Sequence, residues 1–191
     1  MKSMFDILAP VYNRFSKLLF SKIREEIIDK MDFDSNDKIL DVGGGTGAFL
    51  EKILQKNPEL EVFLLDSSKG MIEESSIAES IIMGKACWNP FSRNSFDYVL
   101  CTDALHHFQH KKKSVKEMMR VVKPGGTILI FEMNAKSPIT KLIKFGERIL
   151  GEPSEFFTPE ELSLLFDDNF KVKTEKINSY EYLLSATCLS S

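Results

Sequence analysis

Asp41 and Asp66 each close a short apolar run, Lys38-Ile-Leu-Asp41 and Glu61-Val-Phe-Leu-Leu-Asp66, and between them lies Val42-Gly-Gly-Gly-Thr-Gly47. Glycines at 43, 45 and 47 remove Cβ atoms where a strand must turn sharply into a helix, so a ligand can lie against bare backbone. Asp66 follows Gly47 by 19 residues, the interval at which a βαβ unit holds a ribose by its hydroxyls. Paired acceptors suit a ribose diol, so the pattern points to a nucleoside-like ligand. Gly43-x-Gly45-x-x-Ala48 also satisfies the dinucleotide fingerprint, which keeps a nicotinamide-dependent oxidoreductase open on these residues alone.

His106, His107 and His110 form a second cluster, and His106 and His110 share a face if their segment is helical. With no cysteine nearby and Asp103 as the closest carboxylate in sequence, no metal is expected there. The segment leaves the C-terminal end of the apolar run Phe96–Thr102, where open α/β sheets place their ligands. One histidine of the pair is therefore expected to contact substrate or act as a base, and the other to be structural. Glu132 ends the run Gly126–Glu132 and faces the same crevice, either against substrate or in solvent. Lys111-Lys-Lys113 reads as a solvated helix entrance.

These residues need a frame. Strand-like runs Lys38–Val42, Glu61–Leu65, Ile81–Met83, Phe96–Thr102 and Gly126–Glu132 alternate with helical patterns or helix-length gaps, which predicts a parallel, doubly wound α/β sheet. Beyond it the pattern predicts an amphipathic helix over Ile139–Leu150, a short helix from Pro159 to Asp167, and two closing runs, Phe170–Ile177 and Tyr180–Cys188. Only Asn178 and Ser179 separate those runs, too few for a parallel crossover, so one strand must be antiparallel. Thr158-Pro159-Glu160-Glu161 is a helix start, and Lys123-Pro-Gly-Gly126 terminates the preceding helix. Ile139, Leu142, Ile143, Ile149 and Leu150 make a stripe whose default is packing, and with Phe145, Phe156 and Phe157 it is a candidate for lining or covering an apolar substrate.

The chain has 191 residues, enough for one sheet with helices on both faces and too few for the second domain that a dehydrogenase usually needs. With 25 basic and 28 acidic side chains the net charge is −3, which offers nucleic acid no general attraction. Cysteines 87, 101 and 188 form no C-x-x-C pair and read as reduced thiols, Cys101 as core. Lys2, Asp6, Arg14, Lys17 and Lys22 interrupt every early apolar run, so neither a secretory signal nor a membrane span is expected, and the protein should be cytoplasmic.

Five ordered motifs resemble the class I S-adenosylmethionine-dependent methyltransferases: Asp41-x-Gly-x-Gly-x-Gly47, Leu65-Asp-Ser-Ser-Lys-Gly-Met71, Asn89-Pro-Phe-Ser-Arg-Asn-Ser-Phe-Asp97, Asp103-Ala-Leu-His-His-Phe108 and Val122-Lys-Pro-Gly-Gly126. Within that family the chain looks most like the small-molecule branch that includes quinone-ring C-methyltransferases. Met4-Phe-Asp-Ile-Leu-Ala-Pro-Val-Tyr12 and Phe157-Thr-Pro-Glu-Glu-Leu162 are also similar, so the resemblance covers nearly the whole chain. It implies a Rossmann-like, mostly parallel sheet of seven strands with the last antiparallel, in a single domain over 1–191. An N-terminal helical lid over 1–30 and a substrate-side insertion over 134–158 belong to that expectation.

The resemblance implies S-adenosyl-L-methionine as cofactor and in-line methyl transfer to a small, partly apolar metabolite, with neither nucleic acid nor stable membrane insertion, in a monomer or homodimer. Asp66 would hold both ribose hydroxyls, Met71 would pack on the adenine, and the backbone of Gly43, Gly44, Gly45, Thr46 and Gly47 would face the methionine portion with Asp41 near its ammonium. Ser67, Ala86, Thr102 and Asp103 complete the implied cofactor contacts, and Tyr12 would close over them. Proton removal, if the acceptor requires it, would fall to His106, His107 or Glu132. One departure is Gly84-Lys-Ala-Cys87, where relatives commonly carry Gly-Asp-Ala to accept from the adenine amino group; a lysine has no acceptor. Two readings stay beside this one: an NAD-binding oxidoreductase and a noncatalytic S-adenosylmethionine sensor. Cys101-Thr-Asp-Ala carries neither the Asp/Asn-Pro-Pro-Tyr nor the Pro-Cys of nucleic-acid methylation.

Overall fold

A computed structural model describes residues 21–75, 77, 80–149, 151 and 154–190. The chain runs α1 (Ser21–Ile28), β1 (Lys38–Val42), α2 (Ala48–Lys56), β2 (Glu61–Asp66), α3 (Lys69–Glu73), β3 (Ile81–Met83), β4 (Phe96–Thr102), α4 (Lys111–Val121), β5 (Val122–Met133), α5 (Pro138–Ile149), α6 (Pro159–Ser163), β6 (Phe170–Lys176) and β7 (Glu181–Cys188). Short 3-10 turns at Ala86–Trp88 and Leu105–His107 follow β3 and β4.

Strand alternation explains the layers. In β1, Leu40 and Val42 enter one buried cluster while Ile39 enters the other, and β4 divides Val99 and Cys101 from Tyr98 and Leu100 in the same way. Ile27, Ile28, Phe49, Leu50 and Ile53 from α1 and α2 cover one face of the sheet. Val115, Met118, Val121 and Leu162 from α4 and α6 cover the other. The described end of the expected N-terminal lid is therefore core: Ile27 and Ile28 are buried. Phe5 and Tyr12 lie outside the described residues.

The seven strands are ordered β3-β2-β1-β4-β5-β7-β6, with β7 inserted antiparallel between β5 and β6. The doubly wound sheet and its antiparallel closing strand stand as expected. The hairpin link is longer than Asn178-Ser179, since β6 ends at Lys176 and β7 starts at Glu181. Asn178 Oδ1 accepts from the Tyr180 and Glu181 amides at 2.9 Å, which withdraws those donors into a side-chain turn. The fifth strand begins at Val122 rather than Gly126, because Phe96 pairs with Val122 and Tyr98 with Thr127, so Lys123–Gly126 bulges from the ladder. The helix after Thr158 ends at Ser163, earlier than Asp167, while its start has the anticipated capping box between Thr158 and Glu161. Among the described residues no helix is long and apolar enough to cross a membrane.

This order reverses direction at β1, whose neighbours are β2 and β4, and so opens a crevice beyond the C-terminal strand ends. The functional candidates collect there.

Candidate active site

A cavity of about 350 Å³ occupies the crevice. Its wall includes Gly43, Gly44, Gly45 and Thr46 after β1, Asp66 and Ser67 at the end of β2, and Met71 from α3. Ala86, Thr102, Asp103 and His107 close the wall. Ten of the expected cofactor residues thus share one space.

The turn that shapes it follows from its glycines. Gly43 has φ +75°, and a Cβ there would stand 2.8 Å from Ala104 Cβ and 2.9 Å from Phe108 Cζ, so this glycine permits close packing of β1 on the segment after β4. Gly45, at φ +58°, has a different surrounding: among the described residues a Cβ would meet only Met71 Sδ, at 3.8 Å. Its α-carbon presents bare backbone to the cavity. Asp66 is held in place by two amides, Gly45 N–H donating to Oδ2 at 2.9 Å and Ser68 N–H to Oδ1 at 2.7 Å. The carboxylate thereby ties the glycine turn to the start of α3, whose N-cap is Ser68.

Two expected contacts stand behind the wall. Asp41 is fully buried and absent from the cavity lining, since a Cβ on Gly44 would lie 2.7 Å from its Oδ2; the carboxylate sits beneath the turn. Gly47 faces Ile77 and Leu64 instead of the cavity. Lys85 is exposed and itself lines the cavity beside Ala86, and its side chain supplies no adenine acceptor.

The histidines separate. Leu105–His107 is a 3-10 turn, not the first turn of a longer helix, so His106 and His110 do not share a helical face. His110 precedes α4 and lines the cavity. His106 turns into the protein, where its Nδ1 donates to Glu132 at 2.8 Å and 3.0 Å and its backbone N–H donates to the same carboxylate at 3.3 Å. Both side chains are only 2% exposed and neither lines the cavity. Glu132 is thus neither solvated nor on the cavity wall; it is the buried partner of His106. Burial pushes the His106 pKa down, but the charge and hydrogen bond of Glu132 outweigh it and raise the pKa to about 9. Burial, with His106 beside it, lowers His107 to about 3, so the histidine on the cavity wall is neutral.

The insertion after β5 also differs from its expected role. Phe156 stacks on His106 with centroids 4.3 Å apart, Phe157 packs against the core, and Phe145 points outward; none lines the cavity. Much of the stripe of α5 is exposed, Leu142 at 72% and Ile149 at 69%, with Phe145 beside it at 62%, whereas Ile143 is half-buried and the inner face of the helix carries Thr140 and Glu147. Neither of those inner residues was singled out in the sequence. Phe108, the last residue of the Asp103–Phe108 motif, also lines the cavity, as do Gln109 and Ser114, which no local motif marks.

Residues 40–130 match the methyltransferase domain family. A demethylmenaquinone methyltransferase from Symbiobacterium thermophilum is 30% identical over 95% of this chain and 75% of its own length. The chain belongs to the class I S-adenosylmethionine-dependent methyltransferases. A demethylmenaquinone methyltransferase from Renibacterium salmoninarum is 32% identical over 69% of the chain, and the match spans only 58% of that relative. In the corresponding protein of Paenarthrobacter aurescens it spans 54%. Among solved structures, the complex of the Haloferax volcanii Trm112 activator with its methyltransferase aligns over 99% of both chains, with TM-score 0.86 at 16% identity. A Thermotoga maritima methyltransferase, described as a possible histamine N-methyltransferase, gives 0.77 at 18% identity over 96% of this chain.

S-adenosyl-L-methionine is the cofactor of this methyltransferase family. The residues present fit it: the bare face of Gly45 and the fixed carboxylate of Asp66 border the same cavity, as a nucleoside with a ribose diol requires.

Proposed function

We propose that the chain transfers a methyl group from S-adenosylmethionine to a small, partly apolar acceptor, with a quinone-like ring the class favoured by its relatives. The observation that carries this reading is the cavity at the reversal of strand order, with the glycine turn and Asp66 on one side and His107 and Phe108 on the other. Asp66 holds the ribose hydroxyls and the backbone at Gly43–Thr46 faces the methionine portion. Met71 packs on the adenine, while Ser67, Ala86, Thr102 and Asp103 complete the contacts. Asp41 acts from beneath the turn by its charge.

When bound, S-adenosylmethionine supplies a methyl group already activated as a sulfonium for in-line displacement. The chain's share of the work is to align the acceptor and exclude water. His107 is neutral and on the wall, so it accepts or donates a hydrogen bond to the acceptor. A pKa of about 3 makes it a weak base. Tyr12 closes over the cofactor in this proposal, from a segment outside the described residues. His106 and Glu132 act indirectly, by holding the turn that carries His107.

Calorimetry with S-adenosylmethionine and its demethylated product tests the binding half, and mass spectrometry of a demethylmenaquinone analogue incubated with enzyme tests the transfer half. Heat with both ligands and a product heavier by one methylene is the expected outcome. Binding of NADH alone would overturn the reading, and cofactor binding with no methylated product over a metabolite screen would favour the sensor. Asp66→Ala is expected to weaken cofactor affinity by about 1.5–3 kcal/mol, the scale of a hydrogen bond to a charged group. An unchanged calorimetric affinity would remove Asp66 from the site.

A further inference from the structure

α5 leaves Leu142, Phe145 and Ile149 in solvent and turns a carboxylate inward. Glu147 is 18% exposed, its Oε1 stands 3.8 Å from His107 Nε2, and its Oε2 is buried with no hydrogen-bond partner among the described residues. That separation is too long for a hydrogen bond. A carboxylate withdrawn from water costs several kcal/mol unless a cation or donors compensate it.

We propose that His106, His107 and Glu147 form a binding site for one divalent first-row transition ion, with Zn²⁺ the reference case. One ring nitrogen of each histidine and one oxygen of Glu147 lie within 4.8 Å of one another. Ligands at about 2.0–2.2 Å from a tetrahedral ion stand about 3.3 Å apart, so small side-chain rotations close the set. Two imidazoles and a carboxylate with one position left open is the donor set of catalytic zinc centres.

The surroundings of His106 support the same assignment. Glu132 takes Nδ1, which leaves Nε2 as the ligating nitrogen, and a carboxylate on the far nitrogen is the usual support of a metal-bound imidazole. Phe156, stacked at 4.3 Å and 23°, holds the ring's plane. The ion takes the place of the proton on Nε2, so that proton is released on binding. His107 also lines the cavity, which puts the ion at its wall, with the open position available to an acceptor oxygen. That use rests on the methyl-transfer reading; ion binding does not.

The test is a Co²⁺ titration of the tag-free full chain after chelator treatment, followed by visible absorption, with Zn²⁺ as competitor. One equivalent with the intense bands of a four-coordinate ion, displaced by Zn²⁺, is expected. Glu147→Gln and His107→Gln should each weaken binding at least a hundredfold with unchanged far-ultraviolet circular dichroism. Glu132→Gln should weaken it about 10–100-fold, and Leu142→Ser, on the outer face of α5, not at all. Absence of a stoichiometric site in the unaltered chain, or an affinity unchanged by Glu147→Gln, overturns the proposal. So does a thiolate charge-transfer band that disappears with Cys87→Ser or Cys188→Ser, because the ion would then be held by sulfur.

Discussion

Glu132→Ala is expected to lower the unfolding free energy by about 3–5 kcal/mol, the cost of leaving one half of a buried ion pair unpaired. Glu132 and His106 are both 2% exposed, and the carboxylate receives two donors from the histidine, Nδ1 and the backbone amide. With Glu132 gone, neither donor has water to turn to, and Phe156 and His107 close the remaining sides of the ring. Glu132→Gln keeps an acceptor and removes the charge, so a smaller loss of about 1–3 kcal/mol is expected. Urea unfolding in chelator, followed by circular dichroism, measures both, with exposed Glu155→Ala as the reference near zero. A loss under 1 kcal/mol for Glu132→Ala would show that the pair contributes little to holding the turn at Leu105–His107.

Gly45→Leu is expected to abolish cofactor binding, at least a thousandfold or about 4 kcal/mol, while the chain stays folded. Among the described residues a Cβ at this position meets only Met71 Sδ, at 3.8 Å, so the side chain enters the cavity rather than the packed wall. The folding cost is that of a non-glycine residue at φ +58°, about 1–2 kcal/mol. Gly43→Leu provides the contrast. There the new Cβ collides with Ala104 and Phe108, so the primary loss is stability. Calorimetry against S-adenosylmethionine, paired with thermal unfolding, separates the two. Retained affinity in Gly45→Leu would mean that the cofactor does not lie against the turn.

The local chemistry of the turn was legible in the chain itself. Gly43, Gly45 and Gly47 all take positive φ, and Asp66 ends its strand facing Gly45, because strand, turn and helix here are set by near neighbours. The hairpin was legible as well, since a short link between two apolar runs allows no other connection. Its length was not, because Asn178 competes for backbone donors through its side chain, a choice that alternation of apolar residues does not record.

The histidine pair marks the boundary. His106 and His107 are adjacent in sequence, and their spacing to the strand end was enough to bring their segment to the crevice, but not to say which ring lines it. Which one faces the cavity depends on Glu132, 26 residues later, and on Phe156 beyond it. Likewise α5 was legible as amphipathic, yet it turns Thr140 and Glu147 inward and leaves Leu142 and Phe145 exposed, against the direction its apolar stripe alone would favour. The sequence by itself determined the strand-and-helix rhythm, the glycine turn and the carboxylate that ends β2 against it, all of which depend on contacts short in sequence. Only the tertiary structure decided which acid neutralises which histidine and which face of α5 is inward, because those outcomes turn on pairing and desolvation between groups that the chain keeps far apart.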